Sequence, residues 1–465
     1  MPRQSLLNIY RALMRSTIDY GSFIYGVAAK TTLQKIDTLQ NRALRICTGA
    51  VKTTPINALL VETGEIPLEI RRIKLALTYW MKIKSKKDEN VNSTILKYCW
   101  EYSKFHSNGF GWIINKWIKI YELEDKEIAQ FNPINVSPSW IFPAVNVDIK
   151  LLKMKNDWNL KEIGVKTDIY LRNSYYNYAK IYSDGSKNSK GCVGIGIYIS
   201  EFKIDISKRL SDQLSVFTAE MVAVIISLQW VEEVRPDRVV ICTDSKAVIE
   251  SIQGEGNNRK DLVLEIQHSL FRLYRGGIDV WFCWVPAHQG VKGNERADKL
   301  AKRALDQAIT IKIPIGKGEG KSIIKNKEME IWQKRWNEDK KGRKLYKIQK
   351  SIFSRNVKER NRREEIIMTR LRVGHTYLND TLYLIGKKNN DKCEKCGEKE
   401  NVEHILLNCK TYEREREKLR RIVGKTDQEW SLKGILGNDG NIMDICMIRK
   451  ALFIFLQNTK LKNRI

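Results

Sequence analysis

Two short apolar runs, each closed by a single aspartate, constrain this chain more than any other feature. Lys180-Ile181-Tyr182-Ser183 leads into Asp184, and Val239-Val240-Ile241-Cys242-Thr243 leads into Asp244. Runs of this length, rich in β-branched and aromatic residues, read as strands, so each aspartate is expected to project from a strand end. Asp184 is followed at once by Gly185-Ser186, which reads as a loop. Between the two runs, residues 216–231 form an almost wholly apolar helical stretch that contains one carboxylate, Glu220. A carboxylate among apolar neighbours is costly unless a cation or donor meets it, so something positive is expected to face Glu220. A fourth acid, Asp298, lies in the first turns of a helix whose apolar face is Ala297, Leu300, Ala301, Ala304, Leu305 and Ala308.

Period-two and period-3.6 patterns fill in the surroundings. Strands are expected over residues 178–183, 192–200, 201–208, 238–243 and 278–284, and helices over 217–234, 245–253, 261–274 and 294–308. A meander followed by strand–helix alternation makes an α/β fold, a mixed five-stranded sheet with flanking helices. Acids at strand ends and on two helices can converge on one point, where like charges repel and divalent cations resolve the repulsion. Oxygen-only ligands select Mg²⁺ or Mn²⁺ over zinc, and two such ions can clamp the attacking water and the leaving oxygen of a phosphodiester. His288 sits ten residues before Asp298 in Trp284-Val285-Pro286-Ala287-His288-Gln289-Gly290, a loop by its Pro and Gly, where an imidazole can move a proton or assist product departure. Each residue alone has an ordinary explanation; the ordered set does not.

This ordered set resembles type 1 ribonuclease H. The matching pieces are Tyr182-Ser183-Asp184-Gly185-Ser186, Thr218-Ala219-Glu220, Cys242-Thr243-Asp244-Ser245, the His288 loop, and Gly293-Asn294-Glu295-Arg296-Ala297-Asp298, with successive acids 36, 24 and 54 residues apart. The resemblance covers about 176–308. It implies a ribonuclease H-like fold, with Asp184, Glu220, Asp244 and Asp298 as ligands of two Mg²⁺ (or Mn²⁺) ions and His288 as the assisting histidine. It also implies endonucleolytic cleavage of the RNA strand of an RNA–DNA hybrid, and close approach of the Gly185-Ser186 backbone to metal and RNA. In some members a larger basic protrusion binds the hybrid; here residues 254–277 hold only Arg259, Lys260, Arg272 and Arg275 as cations.

Charge therefore matters. Lys plus Arg is 82 against 54 Asp plus Glu, a net +28, which suits a polyanionic partner. Residues 309–465 hold 38 basic and 21 acidic residues, so the last third is expected to supply much of the grip. Within it, Ile331, Trp332, Trp336, Leu345, Ile348 and Ile352 suggest amphipathic helices. Near the end stands Cys393-x2-Cys396-x7-His404-x4-Cys409, four ligands that can surround one structural Zn²⁺, with Gly397 permitting the turn. His375 lies outside this spacing and is not taken as a ligand. The other six cysteines, Cys47, Cys99, Cys192, Cys242, Cys283 and Cys446, are scattered, several in apolar runs as small core residues.

The N-terminal part reads as helices with no visible chemistry. Its segments Ser16-Thr17-Ile18-Asp19-Tyr20-Gly21-Ser22, Leu39-Gln40-Asn41-Arg42-Ala43-Leu44-Arg45-Ile46-Cys47-Thr48-Gly49-Ala50 and Thr53-Thr54-Pro55-Ile56 resemble the region after the polymerase domain of jockey-like non-LTR retrotransposon polyproteins. The cysteine cluster and Thr369-Arg370-Leu371-Arg372-Val373-Gly374-His375-Thr376 resemble the zinc-binding end of the same polyproteins. With no Asp-Asp dipeptide anywhere, no reverse transcriptase activity is expected, and a polymerase would have to come in trans from another chain. The expected plan is a helical remnant (1–85), a linker region (86–175), a ribonuclease H domain (176–308), a basic helical region (309–392), the zinc-binding module (393–409) and C-terminal helices (410–465). In the linker, Trp112, Trp117 and Trp140 either stack on bases or pack against a helix, and Pro133, Pro138 and Pro143 break regularity. No apolar run suits a membrane span and the N-terminus lacks a signal-peptide pattern, so an intracellular protein without a membrane partner is expected, in nucleus or cytoplasm. Two rival readings are a catalytically inactive nucleic-acid-binding remnant and a transposase or integrase; the intact acid set argues against the first and the His-plus-Asp ending against the second.

Overall fold

The computed structural model of the chain describes residues 1–86, 94, 97–98, 101–102, 109–130, 141–159, 162–254, 259–355, 357 and 359–465. Cys99, Pro133, Pro138 and Trp140 lie outside the described residues. The chain divides into two compact units, one of residues 1–77, 108–113 and 325–465, the other of 78–107 and 114–324.

The second unit is built on a mixed sheet of six strands in the order β1-β6-β5-β2-β3-β4. These are β1 (Asn146–Asp148), β2 (Ala179–Lys187), β3 (Val193–Ile199), β4 (Ile204–Leu210), β5 (Arg238–Thr243) and β6 (Asp279–Trp284). The helices that matter here are α1 (Ile163–Ser174), α2 (Val216–Val234), α3 (Lys246–Ile252), α4 (Lys260–Arg275) and α5 (Lys292–Ala304). The β2-β3-β4 meander is antiparallel, while β2, β5, β6 and β1 run parallel. Alternation in β3 is absent because both faces are covered: Val193, Ile195, Ile197 and Ile199 are fully buried on one face, while Gly194 and Gly196 let α5 approach the other. A Cβ at Gly196 would fall 2.0 Å from the Ala297 carbonyl oxygen, so strand and helix touch backbone to backbone.

Three expectations need correction. The sheet has six strands rather than five. The extra one, β1, is only three residues long and pairs with β6 at Val147↔Phe282, too short to leave a periodic signature. β2 does not end at Asp184; it runs on through Gly185 and Ser186 to Lys187, because β3 continues to pair with it as far as Lys187↔Val193. α5 stops at Ala304 rather than reaching Ala308, and the chain then lays Thr310 and Ile311 along the edge strand β4, where their N–H groups donate to the Arg209 carbonyl at 2.9 and 3.0 Å.

In the first unit, the N-terminal helices and the C-terminal region share one core. Leu7, Tyr10, Leu44, Cys47, Leu59 and Ile70 pack with Trp332, Trp336, Leu345 and Ile352. The predicted apolar face of the basic region is therefore core. Arg372 is its buried hub: it donates to Glu62, to the Leu436 carbonyl and to Gln349, while Arg3 donates to the same Glu62 at 3.1 Å. No described helix is long and apolar enough to cross a membrane.

Candidate active site and metal centres

The register of the central strands explains how two aspartates meet. β2 and β5 are parallel with Tyr182 opposite Cys242, so two residues further along each strand Asp184 stands beside Asp244 on the same face. β5 ends at Thr243 while β2 continues, which leaves Asp184 open toward the end of its neighbour. α2 brings the third acid. Its N-cap Ser215 accepts from the Thr218 N–H at 3.1 Å, and its first turns lie against β2 so closely that a Cβ on Gly185 would fall 2.7 Å from the Glu220 nitrogen. Gly185 is thus what lets Glu220 stand over the strand.

Carboxylate oxygens of Asp184, Glu220 and Asp244 all lie within 4.8 Å of one another. Burial first, and the Asp244 charge second, push the Asp184 carboxyl up to about 8. Burial likewise pushes Glu220 up to about 7, although the nearby Ser245 hydroxyl opposes the shift. Asp244 is also raised by burial, against the stabilising Asn294 amide, which donates to it at 3.1 Å, and the nearby His288. Three acids that resist joint ionisation, Asp184 buried and Glu220 and Asp244 half-buried, with only hard oxygen donors, fit a divalent cation of the Mg²⁺ or Mn²⁺ type. The buried Asn294 carbonyl oxygen, which has no hydrogen-bond partner, adds one more hard donor beside them.

Asp298 and His288 stand differently. Asp298 is outside the three-acid cluster; it accepts from Lys302, one turn along α5, at 2.6 Å, yet its charge is felt by both Asp184 and Asp244. His288 is exposed at the rim with a left-handed backbone, φ 51°. Sequence reasoning assigned no role to Asn294, Ser245, Trp284 or Lys302. Asn294 and Lys302 lie four residues either side of Asp298, on its helical face, and that spacing was a usable signal. Trp284 had none: its indole N–H donates to the Asp244 carbonyl at 2.9 Å, a contact made only by the fold. The sparse cations of residues 254–277 are partly spent, since Arg259 is buried against Asp261 and Glu319 and Arg272 pairs with Glu232.

A second centre lies in the first unit. Cys393, Cys396, His404 and Cys409 bring their ligand atoms within 4.8 Å of one another. Tetrahedral zinc with Zn–S near 2.3 Å needs sulfurs about 3.8 Å apart; Cys396 and Cys409 are 4.0 Å apart. The turn closes through the Gly397 N–H to the Cys393 carbonyl at 2.9 Å, with Gly397 at φ 74°. Glu398 lies 3.1 Å from His404 Nδ1, which aims Nε2 at the cluster. The donor set and spacing fit zinc. Of the scattered cysteines, Cys47, Cys242 and Cys283 are buried, Cys192 is half-buried and Cys446 is exposed. Trp112 is 37% exposed, and Trp117 packs edge-on against Tyr121.

Residues 177–306 match the family model described as RNase H, so the chain carries an RNase H domain there. Curated relatives are the Gag-Pol polyprotein of bovine immunodeficiency virus, 31% identical over 134 residues, and human ribonuclease H1, 26% identical over 147 residues. Each match covers 28% of this chain, and the chain spans 8% of the first relative and 51% of the second. Similar solved structures include the ribonuclease H1 of Halobacterium salinarum and a ribonuclease H1 isolated from compost, both 24% identical. They cover 28% of this chain and 99% and 96% of their own, each at a TM-score of 0.24.

Proposed function

We propose that the domain of residues 177–306 hydrolyses the RNA strand of RNA–DNA hybrids, cutting internally. The observation that carries this reading is the meeting of Asp184, Glu220 and Asp244 within 4.8 Å inside an RNase H domain. In this reading the three acids, with Asp298 released from Lys302, hold two divalent ions. Such ions, when bound, activate the attacking water and stabilise the leaving oxygen. Asn294 and Trp284 hold Asp244 from both sides, through its carboxylate and its carbonyl. His288, exposed at the rim, moves a proton or assists departure of the product. Cys393, Cys396, His404 and Cys409 hold a structural zinc in the first unit, and the basic surface of residues 309–465 holds nucleic acid. The flanking resemblances support origin in a non-LTR retrotransposon polyprotein, with any polymerase acting in trans.

The test is cleavage of an end-labelled RNA–DNA hybrid by the full chain with Mg²⁺. The expected outcome is internal cuts in the RNA strand, and Asp244→Asn reduces the rate by at least about 100-fold while hybrid binding persists. A wild-type chain that binds the hybrid and leaves it whole, like the variant, overturns the reading in favour of an inactive nucleic-acid-binding remnant.

A further inference from the structure

The helix α1 precedes the RNase H match, yet it presses on the loop that carries His288. Gly164, in its first turn, is buried. A Cβ there would fall 2.5 Å from the Gln289 carbonyl oxygen and 2.7 Å from the Gly290 carbonyl carbon and oxygen. Both neighbours are backbone, so nothing flexible can yield, and only a glycine allows this approach. One turn further, Asp168 lies close enough to Lys292, the first residue of α5, for that residue's charge and backbone N–H to oppose the effect of burial on its carboxyl. The N-cap of α5, Val291, makes no side-chain cap, so the nearby Asp168 carboxylate places a favourable negative charge at the start of the helix that bears Asn294 and Asp298.

These two contacts bracket residues 289–292, directly behind His288. A non-glycine residue at φ 51° is held there only when its surroundings over-determine it. α1 is itself anchored to the sheet. Tyr170 and Tyr175 donate from either end of its C-terminal turn to Asp148 of β1 at 2.6 and 2.9 Å, and β1 pairs with β6. A rigid path therefore runs from β6 through β1 and α1 back to the loop that follows β6.

We propose that Gly164 and Asp168 are positioning residues for His288, and that residues 146–175 form part of the working domain. This rests on the proposed hybrid cleavage for its kinetic readout, but not for its structural one. In the full chain with Mg²⁺, Gly164→Ala lowers kcat about 10- to 100-fold with KM within about twofold, the size expected when a group is displaced by an ångström. Added to His288→Ala, it causes less than about a twofold further loss, because both changes remove one contribution. Asp168→Asn, which introduces no clash, lowers kcat in the same non-additive way and stands in if Gly164→Ala fails to fold. Amide hydrogen exchange over residues 286–292 rises about tenfold or more in either variant. Wild-type kcat in both variants, losses that multiply with that of His288→Ala, or unchanged exchange over this loop overturns the inference. A wild-type chain that leaves the hybrid uncut overturns the function instead, and the exchange measurement still decides this point.

Discussion

At the scale of single residues, small changes of environment decide what each titratable group can do. His375 lies in the first unit, half-buried, with its Nδ1 3.2 Å from the Thr53 hydroxyl. Burial, with Lys344 nearby, lowers its pKa to about 4, against 6.5 when unfolded. Its neutral form therefore favours the fold: the contribution is complete above pH 6.5 and is lost as pH falls from 6.5 toward 4. It amounts to about 3 kcal/mol at most. Replacing it by Gln is expected to flatten the pH dependence of unfolding free energy in that window relative to wild type. Parallel curves for the two proteins would sink the assignment. The three clustered acids show the limits of reading residues one by one. Asp184, Glu220 and Asp244 were visible because each interrupts or closes an apolar run. Asp184 still belongs inside a strand, because pairing with β3 outweighs the turn preference of Asp-Gly-Ser. The pairing of Lys302 with Asp298 had a usable signal in its four-residue spacing, although a lysine on a helix face is more often solvated.

At the scale of elements, long periodic helices and β-rich runs were legible, and short or context-made pieces were not. β5 appears at its expected limits, Arg238–Thr243, because six consecutive residues carry the strand pattern. β1 has three residues, and only β6 beside it makes it a strand. The spacing of Cys393, Cys396, His404 and Cys409 was readable because metal ligands need a fixed reach along the chain, whereas the hub around Arg372 was not. The Arg370-Leu371-Arg372 stretch reads as a basic helix, but its fold turns Arg372 inward, where it is 2% exposed. Burial alone would raise the Glu62 carboxyl, yet Arg372 and Arg3 hold it below its usual range. Arg372→Ala strands that charge and is expected to cost about 3–5 kcal/mol in urea unfolding, whereas replacing both Glu62 and Arg372 by Leu and Met costs less. A single-variant loss under about 1 kcal/mol would show that the hub is not where the stability of this unit resides.

At the scale of the whole molecule, the two units carry separate chemistries: carboxylates in one, thiolates and an imidazole in the other. Cys396→Ser is expected to remove one zinc per chain and lower the thermal midpoint of the first unit by roughly 10 °C, about 3 kcal/mol for a unit of this size. Cleavage of the hybrid by the folded second unit should persist below that midpoint. Zinc retained at one per chain, measured by elemental analysis, would refute the ligand set.

The first unit is discontinuous along the chain: residues 1–77 complete their core only with residues 325–465. During synthesis the sheet of the second unit can close once residue 324 has left the ribosome, while Leu7, Leu44 and Leu59 still await Trp332 and Trp336. The helices of residues 1–77 are thus made before the second unit and buried only after it. Until then their apolar faces are open to holding chaperones or to neighbouring nascent chains, and the yield of folded protein depends on how quickly translation passes the final third.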